Sequence, residues 1–180
     1  MAEKRGARVS GRTRCSEQGA ALRELGLDVF ATQAGVELDS GCAIGAAEER
    51  GGSIRLDASD ISENRYRLFS ERLSKATHFI STVAPHSGGD DPILAEYGAL
   101  IGEHASNLSC LVYVSSTSVY GEHDGARVNE ETCPRTPGLK GHARLAAESS
   151  WHAVVENMKH SRPAGAASPR FNIMRLAGIY

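Results

Sequence analysis

The sequence predicts an α/β chain built on a doubly wound parallel sheet with helices on its faces, and three observations carry that prediction. Strand-like and helix-like segments alternate along the chain, which is the pattern of parallel sheets. The run LVYVSSTSVYG, Leu111–Gly121, is an apolar burst that ends abruptly in hydroxyls. A buried strand of an open α/β sheet delivers polar side chains at its carboxyl end in this way, and a core strand followed by a serine-rich turn fits the same residues. The third is the longest helical stretch, Lys140 to about Lys159, which leads through a Pro/Gly/Ala-rich link into another strand-like run, Arg170–Leu176.

Taken in order, Ala7–Gly11 suits a short strand and Ser16–Leu25 a helix. Ser16 is placed to cap that helix, Leu22 and Leu25 share a face, and Gly26 stops it. Leu27–Ala31 suits a second short strand. The Gly-rich segment Ala34–Gly52 reads as an insertion, and Ser53–Asp57 as another strand. Glu63–Leu73 is helical in pattern. THFISTV, Thr77–Val83, is a strong buried strand ended by Pro85. In the loop that follows, Asp91 is a capping residue and Pro92 sits at the first helical position, so a helix runs from there to about Ser106. In the long helix, Leu145, Glu148, Trp151, Val155 and Met158 lie along or beside one side. No internal repeat is present.

At 180 residues the chain suits one domain, whose core would bury roughly 70% of the unfolded surface. With a net charge of −2 and 41% hydrophobic residues, nothing in the balance calls for nucleic acid or a membrane. No stretch approaches the roughly 20 apolar residues of a membrane helix. Lys4, Arg5, Arg8, Arg12 and Arg14 crowd the start, partly as in a transit peptide, but no apolar signal segment follows them, so a cytoplasmic protein is expected, with an organelle as the alternative. Cys15, Cys42, Cys110 and Cys133 are widely spaced without a CxxC pair, which suits free thiols rather than a zinc site or a disulfide framework. His152, Glu156 and His160 share a helical face, and a solvated face is expected there rather than a metal site. The absence of HExxH, P-loop and GxSxG patterns leaves hydrolase and NTPase readings without support.

A strand ending in SSTSVYG, a loop with Asn129, Glu130 and Glu131, a Pro-containing stretch and a helix carrying RLAAE (Arg144–Glu148) together resemble the extended short-chain dehydrogenase/reductase superfamily, the NAD-dependent epimerases and dehydratases. The likeness is greatest to atypical members that lack the usual catalytic pair. It is good from about Thr77 to Tyr180, where FNIMRLAGIY is similar to the family's next strand. The resemblance implies a Rossmann-like fold. The chain has no GxGxxG or GxxGxxG, and Ala7–Arg14 resembles the family's second strand. The first strand and glycine-rich turn are therefore expected to be missing, and the chain to be a single partial domain truncated at both ends. Its residues 77–180 would be the core and 1–76 weakly defined, because the first strand is central in such sheets and its loss leaves inner edges unpaired.

The resemblance also implies site residues. Ser116 holds the position of the hydroxyl that hydrogen-bonds the substrate in the family, a donor suited to a developing alkoxide; a strand-end serine satisfied by backbone fits the same residue. The family's Tyr-x-x-x-Lys pair falls on Lys140 and Arg144. The phenol is absent, Arg144 keeps the charge but cannot titrate, and Lys140 would serve as a base only if buried. Both also suit a solvated helix face. Arg12, Thr13 and Arg14 match the end of the second strand, where arginines favour a 2′-phosphate, hence NADP over NAD, and they equally suit a bare surface. Asp57 matches an acid near the adenine, and Ser81, Thr82, Val83 and Ala84 the strand end passing under the cofactor. The implied partners are a dinucleotide and a small-molecule substrate, with hydride transfer on a sugar-nucleotide-like or hydroxy/carbonyl compound. A non-catalytic NADP-sensing or interaction module, and an inactive fragment, are the alternatives.

Overall fold

A computed structural model describes residues 10–13, 16–25, 28–31, 58–104, 107–160 and 167–177. The chain divides into two compact units, Met1–Arg72 and Leu73–Tyr180. In the first, β1 (Ser10–Thr13) and β2 (Asp28–Ala31) pair in parallel, Ser10 opposite Asp28 and Thr13 opposite Ala31, with α1 (Ser16–Glu24) as the crossover. The right-handed β-α-β connection is the standard way to join parallel neighbours. Helix α2 starts at Ala58 rather than at Glu63 and runs to Leu73. Its first turn lacks apolar periodicity, but Ser59 and Asp60 suit a helix start. The expected insertion at 34–52 and strand at 53–57 lie outside the described residues.

The second unit holds a three-stranded parallel sheet in the order β3 (His78–Ser81), β4 (Cys110–Ser116), β5 (Arg170–Leu176). This is the α/β class that the alternation predicts. Ser81 lies opposite Tyr113, and Ser115 opposite Arg175. Strand β3 ends at Ser81, two residues short of the expected Val83. Alternation along β4 is strict: Leu111, Tyr113 and Ser115 are buried, while Cys110, Val112, Val114 and Ser116 are half-buried. The buried set faces α4 (Leu139–His160), whose Trp151 is fully buried against Tyr113 and Phe79, with ring centroids 5.8 and 5.9 Å apart. On the other face Ile80, Met174 and Leu176 are exposed.

Helix α3 (Pro92–Glu103) begins as the sequence predicts. One Asp91 oxygen accepts the N–H groups of Ile93 and Leu94 at 2.8 and 3.0 Å, and Pro92 stands at the first helical position. The other Asp91 oxygen accepts the indole N–H of Trp151 at 2.9 Å. A carboxylate that is almost fully buried is thus satisfied on both oxygens, which such burial demands. Gly89, at φ +96°, brings the preceding loop against α4, where an added Cβ would stand 2.9 Å from the Ala146 side chain.

Candidate functional site at the carboxyl ends of the parallel strands

Open parallel sheets bind their ligands beyond the carboxyl ends of the strands. In the second unit that edge comprises the ends of β3 and β4 and the first turns of α4. The hydroxyl cluster after Val114 is distributed over different surroundings. Ser115 is buried on the α4 side, and its Oγ has no hydrogen-bond partner. Ser116 ends β4 with extended backbone and caps a short 3₁₀ turn, Thr117–Tyr120, its Oγ accepting the Ser118 N–H at 3.1 Å. A hydroxyl that accepts in this way still has its own proton to donate. Thr117 Oγ1 donates to the Leu176 carbonyl at 3.5 Å.

The turn is fixed from three sides. Gly121 follows it at φ +69°, and a Cβ there would stand 2.6 Å from the Arg135 carbonyl, so only glycine fits. The Arg135 N–H returns to the Val119 carbonyl at 3.2 Å. The first turn of α4 closes on the same place: a Cβ on Gly141 would collide with the Thr136 side chain and lie 2.7 Å from the Ser118 carbonyl.

Beside the turn is a pairing that the sequence reading missed. Arg175 of β5 binds Glu148 of α4 with both ends of its fork, Nε to Oε1 at 3.1 Å and Nη2 to Oε2 at 2.7 Å. Its Nη1 donates to the Tyr120 hydroxyl at 3.0 Å, and its guanidinium lies 5.0 Å from the centre of that ring. Hydrogen bonding to Glu148 is the main reason that the Arg175 guanidinium holds its proton still more firmly than usual. The partners are separated by 27 and 55 positions in the chain. The only sequence signal was Glu148 on the buried side of an otherwise apolar stripe, which requires a cationic partner.

The two basic residues that the resemblance sets at the catalytic-pair positions, Lys140 and Arg144, differ. Lys140 is exposed in the first turn of α4, so the burial that a lysine base requires is not present. Arg144 is half-buried, and its Nη1 donates to the Val114 carbonyl at 3.0 Å and to the Tyr113 hydroxyl at 3.4 Å. It is therefore not merely a solvated residue. Burial pushes the Tyr113 phenol above its ordinary value, although Arg144 beside it acts in the opposite sense; the phenol stays neutral at physiological pH. Alternation sets Ser115 on the face of Tyr113 and Arg144, and Ser116 on the other.

At the end of β3, Ser81 is buried and its Oγ also lacks a partner. Thr82 and Ala84 beyond it are exposed and Val83 is half-buried. Arg12 and Thr13 are the last two residues of β1, opposite Phe30 and Ala31; their side chains, and all of Arg14 and Asp57, lie outside the described residues. The stripe on α4 is engaged piecemeal: His152 meets the edge of Phe171 at 4.9 Å, Lys159 pairs with Glu156 at 2.6 Å, and His160 Nδ1 donates to the Glu156 carbonyl at 2.7 Å. Among the described residues no group of three His, Cys, Asp or Glu is placed to hold a metal ion. Among them, too, no helix is long and apolar enough to cross a membrane.

These features define a Rossmann-like α/β unit with a polar edge at its strand ends. No family model matches the chain, and no curated protein matches it. Among solved structures it is similar to a functionally unknown conserved protein from Silicibacter pomeroyi, at 28% identity and a TM-score of 0.63, over 98% of this chain and 47% of that one. A putative epimerase from Burkholderia cenocepacia aligns at 15% identity and a TM-score of 0.50, over 95% of this chain and 54% of that one. UDP-glucuronic acid 4-epimerase from Bacillus cereus, solved with NAD, aligns at 21% identity and a TM-score of 0.43, over 62% and 35% of the two chains. The chain spans about half the length of the first of these.

Proposed function

We propose that this chain is an NAD(P)-binding protein of the epimerase/dehydratase type, acting through hydride transfer on a sugar-nucleotide-like or related hydroxy/carbonyl substrate. The observation that carries the reading is Ser116. It stands at the carboxyl end of a parallel strand, its oxygen is occupied by the Ser118 N–H, and its proton is left for a ligand oxygen. A neutral donor there stabilises negative charge developing on a substrate oxygen. The strand ends suit a dinucleotide: Ser81 has a buried hydroxyl without a partner, and Thr82, Val83 and Ala84 form the edge beyond it. On this reading those four residues line the cofactor path. For Arg12, Thr13 and Arg14 a 2′-phosphate, and for Asp57 the adenine, are what the sequence resemblance alone implies. A nicotinamide bound there supplies the hydride acceptor, and Ser116 orients the substrate oxygen.

A second reading, a dinucleotide-sensing module without turnover, is favoured by one observation. The positions of the family's acid/base pair hold an exposed Lys140 and an Arg144 bonded to backbone, and neither supplies a titrating phenol. Titration with NADPH and NADH, followed by nicotinamide fluorescence, tests both readings, and the absence of saturable binding at millimolar cofactor overturns both. Turnover of a UDP-sugar by the loaded protein separates enzyme from sensor. On the first reading Ser116→Ala lowers turnover about 10-fold or more; on the second no turnover is seen in either protein.

A further inference from the structure

We propose that Arg144, with the hydroxyls of Ser115 and Ser81, forms an oxyanion-binding subsite at the carboxyl ends of β3 and β4, which takes a carboxylate or phosphate group of a ligand. The proposal shares Ser81 with the dinucleotide reading and departs from it at Arg144, which that reading would give a neutral ribose to hold.

It begins with a gap between strands. In β4 the carbonyls alternate between the two neighbours. Ser109 accepts the Arg170 N–H on the β5 side, so the carbonyls of Cys110, Val112 and Val114 point to the β3 side. Strand β3 ends at Ser81, opposite Tyr113. The Val114 carbonyl therefore has no strand to bond, and Arg144 Nη1 takes that place at 3.0 Å. The guanidinium is thus anchored in the gap where β3 leaves the sheet.

Its remaining donors have no acceptor among the described residues. A guanidinium carries five N–H bonds, and among the described residues only those on Nη1 have protein acceptors, the Val114 carbonyl and the Tyr113 hydroxyl. No carboxylate among the described residues pairs with Arg144. The two acids that face this region are committed: Asp91 to Ile93, Leu94 and Trp151, and Glu148 to Arg175. A half-buried cation without a counter-ion is costly, and its planar fork matches carboxylate and phosphate oxygens.

Two more donors stand on the same face. Ser81 and Ser115 are each 3% exposed, and neither hydroxyl has a partner. Register and alternation set them on either side of Tyr113 along the face covered by α4, with Cα atoms about 8 Å apart for one inter-strand spacing and two residues of rise. Buried hydroxyls are almost always satisfied. A cation and two hydroxyls, with nothing acidic free beside them, can all donate at once, and an oxyanion is a ligand that accepts from every one of them. Arg144 is more exposed than either serine and is the group that a ligand meets first.

The test uses the full chain, inorganic phosphate in one arm and acetate in the other, with sodium chloride at matched ionic strength as the control in calorimetric and thermal-shift titrations. Saturable binding beyond the chloride control is expected for at least one anion. A response to phosphate alone assigns a phosphate-bearing ligand, and a response to acetate alone a carboxylate. Arg144→Gln is expected to weaken binding about 10-fold or more, the loss of one charge-assisted contact pair. Ser115→Ala removes one buried hydroxyl and no protein hydrogen bond, and is expected to weaken binding about 3-fold. It decides the matter if Arg144→Gln does not fold. No saturable response to either anion, or unchanged affinity in Ser115→Ala and in folded Arg144→Gln, overturns the proposal. NADPH titration of the same protein reads the dinucleotide proposal separately.

Discussion

Arg175 and Arg144 reach towards neighbouring parts of the same strand ends, yet one is paired with a carboxylate and, among the described residues, the other is not. Arg175 gives both ends of its fork to Glu148, its third corner to the Tyr120 hydroxyl and its face to that ring. Arg144 gives one nitrogen to a backbone carbonyl and a phenol, and pairs with no carboxylate among the described residues. The difference separates a guanidinium that holds elements together from one that has donors left for a ligand. The Arg175 cluster ties the 3₁₀ turn, α4 and β5 into one block, and Arg144 stands beside that block at the gap left by β3.

The comparison is broken most severely from the Arg175 side. Glu148→Ala leaves a partly buried guanidinium with only Tyr120, and is expected to cost about 3 kcal/mol of stability, read as a lower midpoint in urea unfolding. Gly121→Ala acts on the turn that delivers Tyr120. With φ at +69° and the Arg135 carbonyl in the way, it is expected to cost about 2 kcal/mol in the same assay. Arg144→Gln removes one charge-assisted bond to a backbone carbonyl and is expected to cost only about 1 kcal/mol. A cost as large as that of Glu148→Ala would make Arg144 another structural arginine and remove the contrast.

The smallest effect sharpens the Arg144 side through pH. Burial raises the folded Tyr113 phenol above its unfolded value, outweighing Arg144. The folded state therefore holds the proton more tightly, and this contribution is fully present below about pH 10 and is lost as pH rises through the folded value. Urea midpoints measured from neutral to alkaline pH are expected to fall more steeply in the parent chain than in Tyr113→Phe.

Much of this architecture was legible in the residues. Asp91 and Pro92 announced the start of α3, the LVYV run announced β4, and the last strand lies at Arg170–Leu176, where its apolar pattern put it. Local chemistry decides such features, so a local reading finds them. The Glu148–Arg175–Tyr120 cluster was not legible, because its members meet only once α4 has packed on the sheet; Glu148 showed as an acid in an apolar stripe, but nothing nearby named its partner. Within SSTS the residues alone could not say which hydroxyl is buried. That depends on strand register, which sends Ser115 towards α4 and Ser116 to the other face. Lys140 would serve as a base only if buried, and the first turn of α4 leaves that side chain exposed, as the solvated-face alternative has it.

The carboxylate of Asp91 stops the end of one helix with one oxygen and grips the central indole of another with its other oxygen. Fraying at the start of α3 therefore exposes a charge that also anchors Trp151, and release of Trp151 strips the cap of half its surroundings. The two events become one local unfolding step. In amide exchange, the protection at Ile93 and Leu94 should accordingly rise and fall with that of the middle of α4, some sixty positions along the chain, rather than with the remainder of their own helix.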